Sequence, residues 1–196
     1  MRGGTALAID TSDFKSGIAI YLDGEVCQII DFQHVKPGKG GAFVRTKLKR
    51  LRTGGTIEKT FRAGEKMDAA YLEKKPYQYL YRQGDELVLM DLESYEQVPV
   101  EPSVIGPAAK FLKEEMEVVG LLADGKVLGY ELPNFVELQI TETDPAYKGD
   151  TVGGGATKPA KLESGAVVQV PFHIGEGDVV KVDTRTGTYL ERVSKK

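Results

Sequence analysis

Asp23-Gly24 and Asp124-Gly125 each stand between two short apolar runs, and this pattern constrains the fold more than any other feature of the chain. A two-residue hairpin turn of type I′ needs positive φ at both central positions, which Asp and Gly accept far more readily than branched residues do. Thr186-Gly187 offers a similar turn later in the chain. The segments joined by such turns are rich in Val, Ile, Tyr and Phe: 17–22, 26–32, 42–51, 56–61, 77–81, 87–91, 118–122, 126–130, 136–141, 167–171, 179–182 and 188–193. Helical signals reduce to one stretch, 107–115, where Pro107 precedes good helix formers. The expected fold is all-β, with many short antiparallel strands closing into barrels or sandwiches.

Charge divides the chain. Residues 1–70 carry a net +4, residues 71–135 a net −6 and residues 136–196 a net −1. Together with the punctuation at Pro133-Asn134, this predicts three modules, 1–70, 71–134 and 135–196. Each holds ~60 residues, a size at which a lone core is marginal. Within the first module ten basic residues fall between Lys36 and Lys66, against only Glu58 and Glu65. Such a cluster is either a solvated strand face or a surface that meets a polyanion, because phosphates are held by Lys and Arg.

Several function classes lose their basis in the sequence. Met1–Ser12 holds only the short apolar stretch Ala6–Ile9, below what a secretion signal needs, and no run of ~18 apolar residues could span a membrane. The expectation is a soluble, cytoplasmic protein with no membrane partner. The single cysteine, Cys27, lies in an apolar run and reads as a buried small hydrophobe. His34 and His173 are too few for a metal cluster, and no nucleophile elbow, zinc-protease or dinucleotide motif occurs. Neither catalytic residues nor a metal or cofactor site is expected; an active site assembled from distant residues stays open at this level.

One loop stands out. In Val35-Lys36-Pro37-Gly38-Lys39-Gly40-Gly41-Ala42-Phe43, proline and three glycines surround Lys39. Pro37 sets its own φ, while Gly38, Gly40 and Gly41 permit φ > 0 and let a partner approach the backbone. Lys39 is thereby expected at a hairpin tip. On composition alone this is as well a solvated turn lysine, and the spacing is not that of a phosphate-binding Walker loop.

Longer blocks carry more. Phe32–Gly40, Ala42–Lys49 and Glu58–Arg62 closely resemble the first domain of the elongation factor P family. Asn134–Leu138, Thr143-Asp144-Pro145, Lys148–Thr151, Lys158-Pro159-Ala160 and Val179–Gly187 are similar to its C-terminal domain. The resemblance runs from about Ser12 to Lys195, with Met1–Thr11 extended at the N-terminus and Lys161 where threonine is common.

That resemblance implies an SH3-like (KOW-type) barrel followed by two OB-fold barrels in an L-shaped, tRNA-like arrangement. It implies a non-enzymatic translation elongation factor that binds both ribosomal subunits and peptidyl-tRNA between the peptidyl and exit sites and stimulates peptide-bond formation at polyproline stalls; a monomer is the default expectation. Lys39 matches the tip lysine that a lysine-modifying enzyme extends in many members, with Pro37, Gly38 and Gly40 as the tRNA-contacting loop. Arg45, Lys47, Lys49, Arg50 and Arg52 are the implied RNA-binding cluster. Gly149, Asp150, Thr151 and Gly153 match a loop near the exit-site codon, and Tyr189 and Arg192 are candidates for ribosomal RNA contacts. No DNA partner is implied.

Two other interpretations use the same residues. A generic single-strand RNA-binding OB protein would share the barrels and a basic face, but it calls for aromatic stacking platforms, and the chain has 8% aromatics and no Trp. An elongation factor P-like paralogue would share the fold; the intact Pro37-Gly38-Lys39-Gly40 tip resembles the factor itself.

Overall fold

The computed structural model describes residues 7–145 and 157–195. Sixteen strands among these residues form three antiparallel sheets, so the all-β expectation holds. The chain divides into two compact units, one of residues 1–76, 101–106 and 119–131, the other of 77–100, 107–118 and 132–196.

The first unit is built on a six-stranded sheet of β1 (Leu7–Asp10), β2 (Ala19–Leu22), β3 (Glu25–Val35), β4 (Phe43–Arg50), β5 (Thr56–Arg62) and β6 (Lys66–Ala70), in the order β1-β6-β2-β3-β4-β5. The turn between β2 and β3 has φ of 51° at Asp23 and 82° at Gly24, the double positive φ predicted for that dipeptide. Alternation along β4 sends Val44, Thr46 and Leu48 inward, and Val44 and Leu48 join Ile9, Phe14, Ile20, Cys27, Ile29 and Phe61 in one core. Phe14 fixes its centre, meeting Phe61 and Phe32 edge-on at 5.6 and 6.3 Å between ring centroids. Burial raises the Cys27 thiol above its ordinary pKa, as expected of a small core residue rather than a reactive one.

The middle sheet comprises β7 (Glu73–Gln83), β8 (Glu86–Asp91), β9 (Gln97–Val100), β10 (Glu117–Ala123) and β11 (Lys126–Glu131), in the order β11-β10-β7-β8-β9. Asp124-Gly125 forms the second predicted turn, with φ of 49° and 73°. The helix expected over 107–115 is not formed. A four-residue α-turn, α1 (Pro102–Ile105), comes first and ends at Gly106, whose φ is 86°; a 3₁₀ turn over Pro107–Phe111 follows. Ile105, Phe111 and Leu112 are each buried, without one helical face running through them.

The last sheet holds β12 (Phe135–Thr143), β13 (Thr157–Leu162), β14 (Val167–Pro171), β15 (Val179–Asp183) and β16 (Thr188–Ser194), ordered β14-β13-β12-β15-β16. Its core includes Val136, Leu138, Ile140, Leu162, Val170, Ile174 and Val180, and Phe111 packs into it.

Four strands went unpredicted: β1, β6, β9 and β13. Lys66–Ala70 has weak strand propensity and owes its form to pairing with β1 and β2 on its two sides. Prolines hid β9 and β13. Pro99 sits on the edge strand β9, and Pro159 of β13 lies just past the last pair with β12, Thr143 with Ala160, its carbonyl accepting the Thr143 hydroxyl at 2.9 Å.

Candidate functional site

β3 and β4 pair through Val35 and Phe43, leaving residues 36–42 as a seven-residue connection with Lys39 at its centre. Lys36 through Gly41 are all exposed, so the expected tip is where the sequence placed it. Of the three loop glycines only Gly40 uses left-handed backbone, at φ 107°. A methyl group there would lie 3.9 Å from Cγ of Pro37, whereas Gly38 and Gly41 face open space. The proline ring thus sits beside the turn at Gly40, and the Gly38 and Gly41 backbones are open to an approaching ligand.

Ring contacts gather at the base of the loop. Phe43 lies between Val35 on β3 and Arg62 on β5, and the Arg45 guanidinium sits over the Phe43 ring at 5.7 Å from its centroid. On the other side Phe32 meets the His34 ring edge-on at 5.6 Å. Both histidines are exposed, and among the described residues no group of three or more His, Cys, Asp or Glu is placed to hold a metal ion.

The five basic residues are spread along β4 and into the turn that follows it. Arg45, Lys47 and Lys49 share the outward parity of β4. Across the sheet Arg45 has only neutral neighbours, Gln33 and Thr60, whereas Lys47 lies between Asp31 and Glu58. Arg45 is therefore the less compensated of the two. Arg50 has the inward parity of Leu48, stands opposite Cys27 at the end of the strand, and pairs with Glu25 at 3.2 Å. Arg52 follows in the turn after β4. At about 3.3 Å per residue, the length of β4 puts these two more than ~20 Å from the end of the strand that bears the Lys39 loop. Lys59, part of the same basic stretch, points inward opposite Thr46, with its Nζ 5.6 Å from the Phe61 ring centroid.

In the last sheet Tyr189 is half-buried, opposite Val182 and against the core, and Arg192 pairs with the buried Asp178 at 3.5 Å. Gly149, Asp150, Thr151 and Gly153 lie outside the described residues. Sequence reasoning passed over Phe43, whose ring carries Arg45; the signal available was its place one residue beyond the glycine loop, at the first position of β4.

Family models match along nearly the whole chain. The Elongation factor P (EF-P) KOW-like domain covers residues 10–67, the Elongation factor P (EF-P) OB domain residues 72–130, and Elongation factor P, C-terminal, residues 136–192. The chain belongs to the elongation factor P family.

Elongation factor P of Pelotomaculum thermopropionicum is 56% identical over 185 residues, covering 94% of this chain and 100% of its own. That of Acetivibrio thermocellus is 54% identical over 185 residues, again covering 94% and 100%. Among solved structures, Eukaryotic translation initiation factor 5A from Methanococcus jannaschii is similar at a TM-score of 0.49 and 26% identity, over 65% of this chain and 92% of that one. The Lys39 loop and the β4 cations fall within the KOW-like match; the 149–153 segment, Tyr189 and Arg192 fall within the C-terminal match.

Proposed function

We propose that this translation elongation factor binds the ribosome between the peptidyl and exit sites, in contact with both subunits, and stimulates peptide-bond formation at polyproline stalls. The observation that carries the proposal is the exposed, central position of Lys39 in a loop whose other charged side chain is Lys36, in a member of this family. In this proposal Lys39, extended by a lysine-modifying enzyme, reaches the CCA end of peptidyl-tRNA, and the open backbone at Pro37, Gly38 and Gly40 follows it in. Arg45 and Lys47 neutralise RNA phosphate beside the loop, Lys49 continues that face, and Arg50 and Arg52 meet RNA at the far end of β4.

The chemistry asks for no acid, base or nucleophile from the protein. Proline reacts poorly in peptidyl transfer because its ring restricts φ and constrains the approach of its nitrogen. Holding the CCA end in a reactive pose removes part of the orientational entropy from the barrier, an effect worth up to about 7 kcal/mol or more in well-oriented systems. The ribosome remains the catalyst. The segment holding Gly149, Asp150, Thr151 and Gly153 is assigned to the exit-site codon, and Tyr189 with Arg192 to ribosomal RNA. The protein acts in the cytoplasm as a monomer, through three domains bounded at 70 and 134.

The test is reconstituted translation of a reporter with consecutive prolines, run without factor, with natively modified protein and with Lys39→Ala. Relief of the stall by native protein alone supports the proposal. No relief by native protein sinks it and makes general RNA binding the leading interpretation.

A further inference from the structure

The Lys39 loop is held from a segment far away in sequence. Its last residue, Ala42, accepts a hydrogen bond from the Ala63 N–H at 3.0 Å, so the C-terminal leg of the loop rests on the turn between β5 and β6. That turn is closed internally: the Arg62 N–H donates to Oε2 of Glu65 at 2.8 Å, and the Glu65 N–H donates to the Arg62 carbonyl at 3.0 Å. Gly64, at φ 77°, turns its N–H onto Oγ1 of Thr11 at 2.8 Å.

Thr11 is suited to anchor the turn because it is itself fixed. It is 1% exposed and opens a 3₁₀ turn over Thr11–Asp13. Asp10 caps that turn, accepting the Ser12 N–H at 2.7 Å, while Asp13 accepts the Asp10 N–H at 3.1 Å. The Ser12 hydrogen bonds hold the Asp10 carboxyl below its ordinary pKa, so it is ionised at neutral pH and remains the acceptor the cap requires.

We infer that Thr11 is a positioning residue for the Lys39 loop: its buried hydroxyl holds Gly64, the Gly64 turn presents the Ala63 N–H, and that N–H holds Ala42 at the base of the tip. The significance of this relay rests on the proposed function, since a tip that must reach a CCA end gains from having one leg fixed. The relay itself is a property of the free protein and can be measured without a ribosome.

The experiment compares full-length wild type, Thr11→Val and Thr11→Ser. Valine keeps the shape and removes the acceptor; serine restores it. Amide hydrogen exchange is followed at Ala63, Gly64 and, as controls, at Ile20 and Ile29, and backbone 15N relaxation at residues 36–42. The expected result is an approximately tenfold or greater rise in exchange at Ala63 and Gly64 in Thr11→Val, with larger fast motions at 38–41, unchanged controls, and recovery in Thr11→Ser. Unchanged relaxation at 36–42 overturns the inference, and so does a uniform acceleration that includes Ile20 and Ile29, which marks Thr11 as merely stabilising. A polyproline reporter run with the modified proteins should show a several-fold loss in Thr11→Val that serine recovers; full activity of Thr11→Val also overturns it. If wild type fails in that reporter, the proposed function falls while the exchange data still decide the relay.

Discussion

The backbone of Gly129 runs so close to Leu51 that a Cβ at position 129 would lie 2.9 Å from the Leu51 carbonyl oxygen. Gly129 is on β11, and Leu51 directly follows β4, so the clash is between two stretches of main chain. Main chain cannot swing aside as a side chain can. Replacing glycine by alanine usually gains about 0.4–1 kcal/mol by restricting the unfolded chain, but overpacking costs about 1–3 kcal/mol. Gly129→Ala should therefore be destabilised by about 1 kcal/mol or more in urea unfolding; equal or greater stability would show that the two segments separate easily.

Lys39→Ala should behave in the opposite way. The side chain is exposed and its loop is held at the base, so truncation should alter the unfolding free energy by no more than about 0.5 kcal/mol. A thermal denaturation midpoint several degrees below wild type would contradict the exposed-tip geometry.

Arg45 and Lys47 separate what charge does from what its surroundings cancel. Arg45 has Gln33 and Thr60 beside it, and Lys47 has Asp31 and Glu58. Arg45→Gln should weaken ribosome binding more than Lys47→Gln and lower the salt dependence of binding by about one counterion. Binding measured from low to moderate salt tests this, and equal losses would show that the neighbouring carboxylates do not matter.

Asp183 should govern part of the acid response. Hydrogen bonds from the Arg185 guanidinium, at 3.0 Å from Nε and 2.6 Å from Nη2, lower its pKa from 3.8 to about 2. Because the folded value lies below the unfolded one, this contribution is present above about pH 4 and fades as pH falls towards 2. Arg185→Gln should raise the Asp183 pKa towards its ordinary value, read directly from a carboxyl 13C titration. A titration midpoint unmoved by the substitution would assign the shift to another donor.

Within the last sheet, burial should set the cost of truncation. Leu138 is 0% exposed and Leu190 46% exposed. Leu138→Ala should cost about 2–5 kcal/mol and Leu190→Ala about 0.5 kcal/mol or less. Similar losses at both positions would mean that Leu190 is covered in solution.

The local rules were legible in the sequence because they depend on near neighbours alone. Asp23-Gly24 and Asp124-Gly125 turn as their own φ preferences require, the alternation of β4 separates Val44, Thr46 and Leu48 from Arg45 and Lys47, and the glycines around Lys39 leave it bare. What only the tertiary structure decided rests on partners distant in sequence. Lys66–Ala70 is a strand because β1 and β2 flank it, and Pro107–Phe111 stops short of a helix because Phe111 is drawn into the core of the last sheet. The length of β4 is what sets Arg50 and Arg52 far from Lys39, a separation that the run of basic residues does not show. In the sequence Thr11 is only the last residue of the N-terminal extension. Its importance comes from the fold bringing its hydroxyl within 2.8 Å of the Gly64 N–H, a hydrogen bond between positions whose spacing follows no local period.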